Sequence, residues 1–421
     1  MVTIYYDLSE QFLASGVKFK YYGISRTVME VGYELAMSDA DVRFVIFSPA
    51  HKRFFEVTPR IGSLSPTGII DCGLPHTATP KRIRHSFPTP NRLRDFLYPA
   101  VQWGTRMLNQ RRWRNAPAGM VKDVNLNGQV LVSLARPKIM SDYLMAMDQA
   151  GVSTRFIPLL YDMFPFYDSA HLRQGMFSSN FNHDNKVVIQ HAERILSIST
   201  FTKLEIERFS ALGHLPPVPQ IITVPLCHEI RTTDEAVVQK GPAEAYLLSV
   251  GTMTGRKNIE CTLDAMMHLH EIGSFVPPLV LAGAFRTRTE QYIKQSRFDA
   301  IRSRIHIALN PNQAELYALY KHALALVIPS RMEGWGLPLG EALWVGTPAL
   351  SSTAVALKEV GGDLAEYFDP DSPQTLAKLI DRLQSDPENY RALKARIVAA
   401  KPGLRSWKDV AKDIIAATEV V

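Results

Sequence analysis

The chain has 421 residues, of which 46% are hydrophobic and 21% are charged, and its net charge is +6. These values are typical of a globular protein, and the length suffices for two domains of ordinary size. No apolar stretch approaches the roughly 18 residues that a membrane-spanning helix needs, which excludes such a helix. The chain does not start like a signal peptide, and its three dispersed cysteines are expected to be free thiols.

Strands and helices alternate along the first half of the chain. An apolar helix face is predicted from the spacing of Ile24, Val28, Val31 and Leu35. Residues 58–129 have little strand signal and are interpreted as an insertion that contains loops and a basic helix. Strands are predicted at residues 3–8, 42–48, 130–134, 155–160 and 195–199.

The second half repeats this alternation more clearly, with strands predicted at 246–250, 279–282, 305–309 and 324–328. The proline-rich segment 215–242 is predicted to contain the crossing between two domains. We therefore expect an α/β fold with parallel sheets covered by helices, an N-terminal domain at 1–220 and a C-terminal domain at 221–403. The last segment, 404–421, is predicted to contain an amphipathic helix capped by Ser406.

The insertion is strongly basic. Between Lys81 and Lys122 there are ten basic residues, a single acid (Asp95) and several interleaved aromatic residues. This composition is typical of a surface that lies on anionic lipid. A solvated insertion and a groove for an acidic acceptor remain alternatives. Nucleic acid is not predicted as a partner, because no recognition motif accompanies the charge.

The most informative segment reads Ser-Arg-Met-Glu-Gly-Trp-Gly-Leu-Pro-Leu-Gly-Glu, at residues 330–341. Pro338 suits the first position of a helix, and Glu341 is expected in its first turn, where the helix dipole favours a carboxylate. Glu333 is predicted to lie in the preceding loop. Gly334 and Gly336 would let another molecule approach the backbone, and the helix start would suit a phosphate. The segment therefore predicts one edge of a nucleotide site.

This segment resembles the E-x7-E signature of retaining glycosyltransferases of family 4, with Glu333 and Glu341 as its two glutamates. Residues 249–258, Ser-Val-Gly-Thr-Met-Thr-Gly-Arg-Lys-Asn, resemble the phosphate-contacting loop of that family. The similarity extends over most of the C-terminal half. The resemblance implies the GT-B fold, in which two Rossmann-like domains enclose a cleft. It also implies that Glu341 accepts hydrogen bonds from the ribose, that Glu333 lies near the donor sugar, and that Arg256 and Lys257 face the leaving diphosphate.

Further donor-site residues follow from the same resemblance. The amides from Gly334 through Trp335 and Gly336 to Leu337 would line the sugar and phosphates. Thr252 stands where many family members have an arginine, a contact that Arg256 is expected to replace.

In the N-terminal half, Gly23 resembles a glycine turn near the donor phosphates, with a plain loop glycine before a helix as the alternative. Asp162 follows a predicted strand and is a candidate for contacting or positioning the acceptor. Its neighbour Tyr161 stands where relatives often have a histidine, so no catalytic role is carried over to that position. Ser199 is predicted either to face the cleft or to cap the next helix.

The function implied by the resemblance is transfer of a hexose, with retention, from a GDP- or UDP-linked donor, with GDP-mannose as the specific hypothesis. The acceptor would be a saccharide or a lipid-linked saccharide of a bacterial surface polysaccharide or glycolipid. No metal or prosthetic group is implied, and the enzyme would lie in the cytoplasm, either free or peripheral at the inner membrane face. The alternatives are a non-catalytic nucleotide-sugar-binding subunit, or an epimerase or hydrolase that acts on the donor alone. Hydrolysis is disfavoured, because no sequence neighbour would tune the pKa of either glutamate.

Overall fold

The computed structural model describes residues 2–14, 23–65, 68–84, 87–117, 119–167, 176–231, 241–251, 255–284 and 287–419. The chain folds into two larger sheets, one in each half, with helices packed on them. The α/β class expected from the alternation of strands and helices is confirmed. Among the described residues, no helix combines the length and the apolarity that crossing a bilayer requires.

The strands of the N-terminal half are β1 (Ile4–Asp7), β2 (Val42–Ser48), β3 (Arg53–Val57), β4 (Arg60–Ile61), β5 (Ile70–Asp71), β6 (Val121–Asp123), β7 (Val130–Ser133), β8 (Arg155–Leu160), β9 (Ile195–Ser197) and β10 (Ile221–Thr223). Eight of them form one sheet in the order β10-β9-β8-β7-β1-β2-β3-β6, and β4 pairs with β5 separately. From β10 to β2 the strands are parallel, whereas β3 and β6 are added antiparallel at the edge.

The helices of this half are α1 (Ser9–Ala14), α2 (Ile24–Ala36), α3 (Arg92–Trp113), α4 (Pro137–Gln149), α5 (Met176–His191) and α6 (Thr200–Ala211). The predicted apolar face of α2 is buried at Val28, Val31 and Leu35. It stabilises the fold because burying each such side chain contributes roughly 1.5–3 kcal/mol.

The C-terminal half has strands β11 (Tyr246–Val250), β12 (Leu279–Gly283), β13 (Ile305–Leu309), β14 (Ala323–Ile328), β15 (Ala349–Ser352) and β16 (Glu366–Phe368). They form a parallel sheet in the order β13-β12-β11-β14-β15-β16. Numbered within this half the order is 3-2-1-4-5-6, which is the doubly wound arrangement of nucleotide-binding sheets.

The helices of the C-terminal half are α7 (Ile259–Glu271), α8 (Thr287–Ile293), α9 (Gln313–His322), α10 (Leu337–Val345), α11 (Val355–Gly361), α12 (Pro373–Ser385), α13 (Pro387–Ala400) and α14 (Trp407–Glu419). Helix α14 packs back onto α2 of the N-terminal half, and Arg194 donates to the carbonyl of Ala417 at 2.9 Å. Trp407, the first residue of α14, is fully buried.

The basic helix predicted in the segment 58–129 is α3, but the segment also has some strand structure that was not expected. It contains β4, β5 and β6, which are only two or three residues long. Strands this short have no readable periodicity, and they form because antiparallel partners are available to them. The predicted boundary after residue 220 falls at the start of β10, which pairs with β9, so the first sheet extends to residue 223.

Candidate active site

The candidate site begins at the centre of the C-terminal sheet. Strands β11 and β14 are neighbours there, and the order of strands along the chain reverses between them. Loops that follow such a reversal diverge to opposite sides of the sheet and leave a crevice at the carboxyl ends of the strands. The loop after β11 carries Arg256 and Lys257, and the loop after β14 carries Glu333.

The structure brings these three side chains together. The Glu333 carboxylate is buried and accepts from Arg256 at 2.8 Å and from Lys257 at 2.5 Å. Burial alone would raise the pKa of Glu333, but the charges of Lys257 and Arg256 outweigh it and lower that pKa to about 2. A carboxyl group with this pKa stays ionised at neutral pH and is a poor general acid. The expectation that no partner tunes this glutamate is therefore wrong, because its partners lie some 76 residues earlier in the chain.

The two cations are themselves held in place. The Arg256 guanidinium also donates to the Met332 carbonyl at 2.8 Å and lies 4.4 Å from the centre of the Phe164 ring of the N-terminal half. Burial lowers the pKa of Lys257, and the charge of Glu333 opposes this shift. Asn258 adopts a left-handed backbone conformation. Its side-chain amide donates to the carbonyls of Pro329, after β14, and Pro370, after β16, and these bonds fix the position of the loop.

Both carboxylate oxygens of Glu341 accept hydrogen bonds. Arg26 from helix α2 donates to one oxygen, and the Tyr320 hydroxyl donates to the other at 2.7 Å. Glu341 was expected in the first turn of its helix, but α10 starts at Leu337, which places Glu341 in the second turn. Its carboxylate is therefore neutralised by the guanidinium of Arg26 rather than by the helix dipole, whose effect falls off within one turn.

Arg26 belongs to a larger charged network. It lies 3.9 Å from Glu30 and also donates to the Glu229 carbonyl at 3.3 Å. Its guanidinium is 5.7 Å from the ring centre of Trp407 in helix α14. Arg231 in turn forms an ion pair with Glu30, at 2.6 Å between its Nε and the carboxylate. Arg26 is thus a central contact between the two halves, and it was missed as a site residue because its partners are remote in sequence.

Gly334 and Gly336 are required for packing within the protein, because a side chain at either position would clash with a neighbouring residue. A Cβ on Gly334 would lie 2.2 Å from the Tyr161 carbonyl oxygen, so only glycine permits this approach of the two halves. Gly336 has a φ of 118°, and a Cβ there would lie 2.4 Å from Leu357. Ser199 is buried and caps α6, which was one of its two predicted alternatives, and it donates to the Gly334 carbonyl at 2.7 Å.

A second carboxylate joins the two halves nearby. Glu359 of helix α11 accepts from the backbone N–H groups of Thr200 and Phe201, at 2.8 and 2.7 Å. These groups are at the start of helix α6, where unpaired donors and the positive end of the helix dipole favour a carboxylate. The contact fixes the C-terminal half against α6.

The remaining predicted donor residues occupy different positions. Trp335 is buried, and its indole N–H donates to the Cys227 carbonyl at 3.2 Å, so the side chain is packed in the protein. Leu337 starts helix α10, and Gly23 is the exposed N-cap of α2. Thr252 lies outside the described residues.

Asp162 follows β8 and is partly buried at the edge of the cleft. Burial raises the pKa of its carboxyl group, and the charge of Arg256 opposes the shift. Its carboxylate accepts weakly from the Phe164 N–H at 3.4 Å. The hydroxyl of the preceding Tyr161 donates to the Leu134 carbonyl at 2.7 Å. This hydrogen bond is structural, and it gives Tyr161 no evident part in the role of the histidine that relatives have there.

The N-terminal sheet has its own reversal of strand order, between β1 and β7. Glu10, just after β1, is fully buried and accepts from the Arg136 side chain at 2.8 Å and from its backbone N–H at 3.1 Å. Ser25 donates to the same carboxylate at 3.2 Å. This pair is a candidate for the acceptor side that sequence patterns did not single out. The available signal was the position of Glu10 shortly after the first strand.

The described residues contain no group of three or more His, Cys, Asp or Glu side chains that could hold a metal ion. Beside Glu333 there is an open hollow of about 280 Å³, which is also lined by Tyr167, Phe201 and Arg331. The arrangement offers a pair of cations at the crevice, an ionised carboxylate between them, and a second carboxylate, Glu341, in the second turn of helix α10.

Part of the chain is similar to a family of known proteins. Residues 230–397 match the family described as glycosyl transferases group 1. The O-antigen chain mannosyltransferase B of Escherichia coli is 28% identical over 252 residues, which are 55% of this chain and 62% of that protein. The chain thus covers less than two thirds of this relative's length.

Solved structures are similar over the whole chain. The sucrose-phosphate synthase of Thermosynechococcus elongatus superposes with a TM-score of 0.64 at 16% identity, covering 99% of this chain and 98% of that one. The Anabaena protein HepE, solved in complex with UDP, gives a TM-score of 0.59 at 12% identity over 100% of both chains. At these identities the likeness shows the fold. The expected GT-B fold is confirmed, and residues 230–397 match the family described as glycosyl transferases group 1.

Proposed function

We propose that this chain is a glycosyltransferase that moves a hexose from a nucleotide-sugar to a hydroxyl group, retaining the configuration at the anomeric carbon. The observation that carries the proposal is the meeting of Arg256, Lys257 and Glu333 where the strand order reverses in the C-terminal sheet. That is the crevice in which sheets of this topology bind nucleotides. The match of residues 230–397 to the glycosyl transferases of group 1 supports the same conclusion.

The two cations would act on the diphosphate. Negative charge accumulates on the leaving nucleoside diphosphate as the glycosidic bond breaks, and fixed cations stabilise that charge in the transition state. Arg256 and Lys257 are preorganised for this task, because Glu333 and the Met332 carbonyl already hold them. In the proposed reaction the departing phosphate assists attack from the same face, and no protein nucleophile is used.

Glu333 would bind the donor sugar rather than transfer a proton. With a pKa of about 2 it is ionised, so it can accept charge-assisted hydrogen bonds from sugar hydroxyls. A hydrolase would instead need one carboxyl group of raised pKa as its acid. Glu341 would accept the ribose hydroxyls, which requires the Arg26 guanidinium to release one carboxylate oxygen while Tyr320 retains the other.

We propose a specific donor and a class of acceptor. GDP-mannose is favoured because the Escherichia coli relative is named a mannosyltransferase, while the Anabaena structure with UDP keeps UDP-linked donors in the test. The acceptor would be a saccharide or lipid-linked saccharide of a bacterial surface polysaccharide, contacted or positioned by Asp162. We propose that the reaction needs no metal or prosthetic group. We also propose that the protein works in the cytoplasm, peripheral at the inner membrane face.

A donor panel tests this function. Release of nucleoside diphosphate and heat of binding would be measured with UDP-, GDP-, ADP- and dTDP-linked sugars, in the presence of a chelator. The matched variant is Glu341→Gln, which keeps the shape of the side chain, and thermal unfolding would show that it is folded. The expected result is one donor that binds and turns over in the wild type and is weakened in the variant. Donor cleavage without any acceptor would indicate a hydrolase, and the absence of binding would indicate a non-catalytic subunit.

A further inference from the structure

Helix α3 exposes an apolar stripe to solvent. Leu93, Phe96 and Trp103 are 70%, 81% and 69% exposed, which is unusual for such large side chains. Leu97, Val101, Met107 and Leu108 are also exposed. Their spacing of three and four residues places them on one side of a 22-residue helix, about 33 Å long at 1.5 Å per residue.

The opposite side of α3 is fixed to the protein by polar contacts and one large ring. Asn109 is buried, accepts from the Lys81 N–H at 2.7 Å and donates to the Lys81 carbonyl at 2.9 Å. The Tyr98 hydroxyl donates to the Arg84 carbonyl at 2.8 Å. The ring of Trp113 lies 4.8 Å from that of Phe55, between centres. The helix therefore cannot rotate to bury its apolar stripe without losing these contacts.

Positive charge surrounds the stripe. Arg92, Arg111 and Arg114 are exposed, and none of them makes an ion pair with another residue in the part of the chain that the structure describes. Beside the C-terminal half of α3 an open hollow of about 470 Å³ is lined by Leu108, Arg111 and other residues, which combines an apolar wall with cations. Apolar side chains flanked by cations are complementary to acyl chains beneath anionic headgroups.

We propose that α3 lies in the plane of an anionic bilayer, with Leu93, Phe96 and Trp103 inserted at the boundary between headgroups and acyl chains. Arg92, Arg111 and Arg114 contact lipid phosphates in this arrangement, and the hollow beside Arg111 receives a headgroup. The helix lies on the membrane and does not cross it. This surface is separate from the sugar-transfer site. It makes the peripheral membrane location proposed above specific and does not depend on the sugar-transfer activity.

A second copy of the chain is the competing occupant of the stripe. In an antiparallel pairing of two α3 helices, Arg92 of one copy would face Arg111 and Arg114 of the other. In a parallel pairing, each arginine would face its own equivalent. Both arrangements bring like charges together, and the one carboxylate of α3, Asp95, is already paired with Arg94, which opposes association. An anionic bilayer supplies the missing negative charge.

Sedimentation with lipid vesicles tests the proposal. The full chain would be mixed with vesicles of phosphatidylcholine, alone or with an equal part of phosphatidylglycerol, at low and at high salt. We expect binding to the mixed vesicles that weakens at high salt, because exposed charges are screened there. The double variant Phe96→Ser, Trp103→Ser should lower the partition coefficient by roughly tenfold or more, since two large apolar side chains are lost.

The control is Leu212→Ser with Ile272→Ser, which removes two apolar side chains that are similarly exposed elsewhere. It should bind vesicles like the wild type. Nucleotide release from a soluble donor should be unchanged in both double variants, which separates this proposal from the proposed function. The proposal is wrong if the wild type does not bind mixed vesicles at low salt, or if both double variants weaken binding equally. It is also wrong if the Phe96→Ser, Trp103→Ser variant only converts a dimer to a monomer.

Discussion

Arg26 and Glu341, which are 315 positions apart in the chain, form a buried ion pair across the two halves of the molecule. Arg26 belongs to helix α2 of the N-terminal half, and Glu341 belongs to helix α10 of the C-terminal half. If Glu341 binds the donor ribose, Arg26 and the ribose compete for the same carboxylate oxygen. In that case the pair would link the relative position of the two halves to occupancy of the donor site.

The first prediction follows from this competition. Arg26→Ala should destabilise the free protein by about 3 kcal/mol, because it leaves a buried carboxylate without its cation. With a saturating nucleoside diphosphate, the ribose would take the place of Arg26, so the loss should become smaller. Thermal unfolding of wild type and variant, with and without nucleotide, measures both values. An equal loss of stability in the two conditions would show that Arg26 and the ribose do not share Glu341.

The second prediction concerns Lys257. Lys257→Ala should lower donor turnover by roughly 100-fold, as expected when one fixed group that stabilises transition-state charge is removed. Arg256 still neutralises Glu333 in this variant, so the loss of stability should be much smaller than the loss of turnover. Steady-state kinetics and thermal unfolding would be compared with those of Lys358→Ala, which removes an exposed lysine. Activity near the wild-type level would contradict the assigned role.

The third prediction concerns pH. The pKa of Glu333 is about 2 in the folded protein, against an ordinary value of 4.5, so the ionised form stabilises the fold. This contribution is complete above pH 4.5, is lost as the pH falls towards 2, and amounts to roughly 3 kcal/mol at 1.36 kcal/mol per pKa unit. The difference in unfolding free energy between wild type and Glu333→Gln should therefore shrink as the pH falls through this range.

Urea denaturation at a series of pH values would follow that difference. The control for Glu333→Gln is Glu388→Gln, which changes an exposed glutamate on helix α13. Its difference from the wild type should stay nearly constant with pH. A constant difference for Glu333→Gln as well would mean that Arg256 and Lys257 do not hold its pKa low.

The fourth prediction concerns the contact of Gly334 with Tyr161. A methyl group at 334 would lie 2.2 Å from the Tyr161 carbonyl oxygen, so Gly334→Ala should force the two halves apart. Turnover should fall sharply while each half stays folded, and the radius of gyration from X-ray scattering should increase. Gly403→Ala is the matched control, because a Cβ there meets no atom within 4 Å. An unchanged radius with normal turnover would show that this contact is not needed for the reaction.

Much of the architecture could be predicted from the sequence, because it depends on local patterns. Strand-forming apolar runs and the spaced apolar positions of α2 gave the α/β class. The four strands predicted in the second half agree closely with β11 to β14, whereas β15 and β16 were not predicted. The short strands β4, β5 and β6 could not be predicted, because they form only where an antiparallel partner is available. The position of Glu341 differed by one turn, since the chain becomes helical only at Leu337.

The candidate site was predicted only in part. The sequence by itself determined the candidate residues: two glutamates separated by a glycine turn, a basic pair in a loop, and a basic aromatic insertion. Tertiary structure alone decided their partners, because contacts such as Lys257 with Glu333 and Arg26 with Glu341 join segments far apart in the chain. Packing likewise decided which face of α3 is exposed. Tyr98 and Asn109 hydrogen-bond to the protein on one face, and the apolar side chains of the opposite face are exposed to solvent.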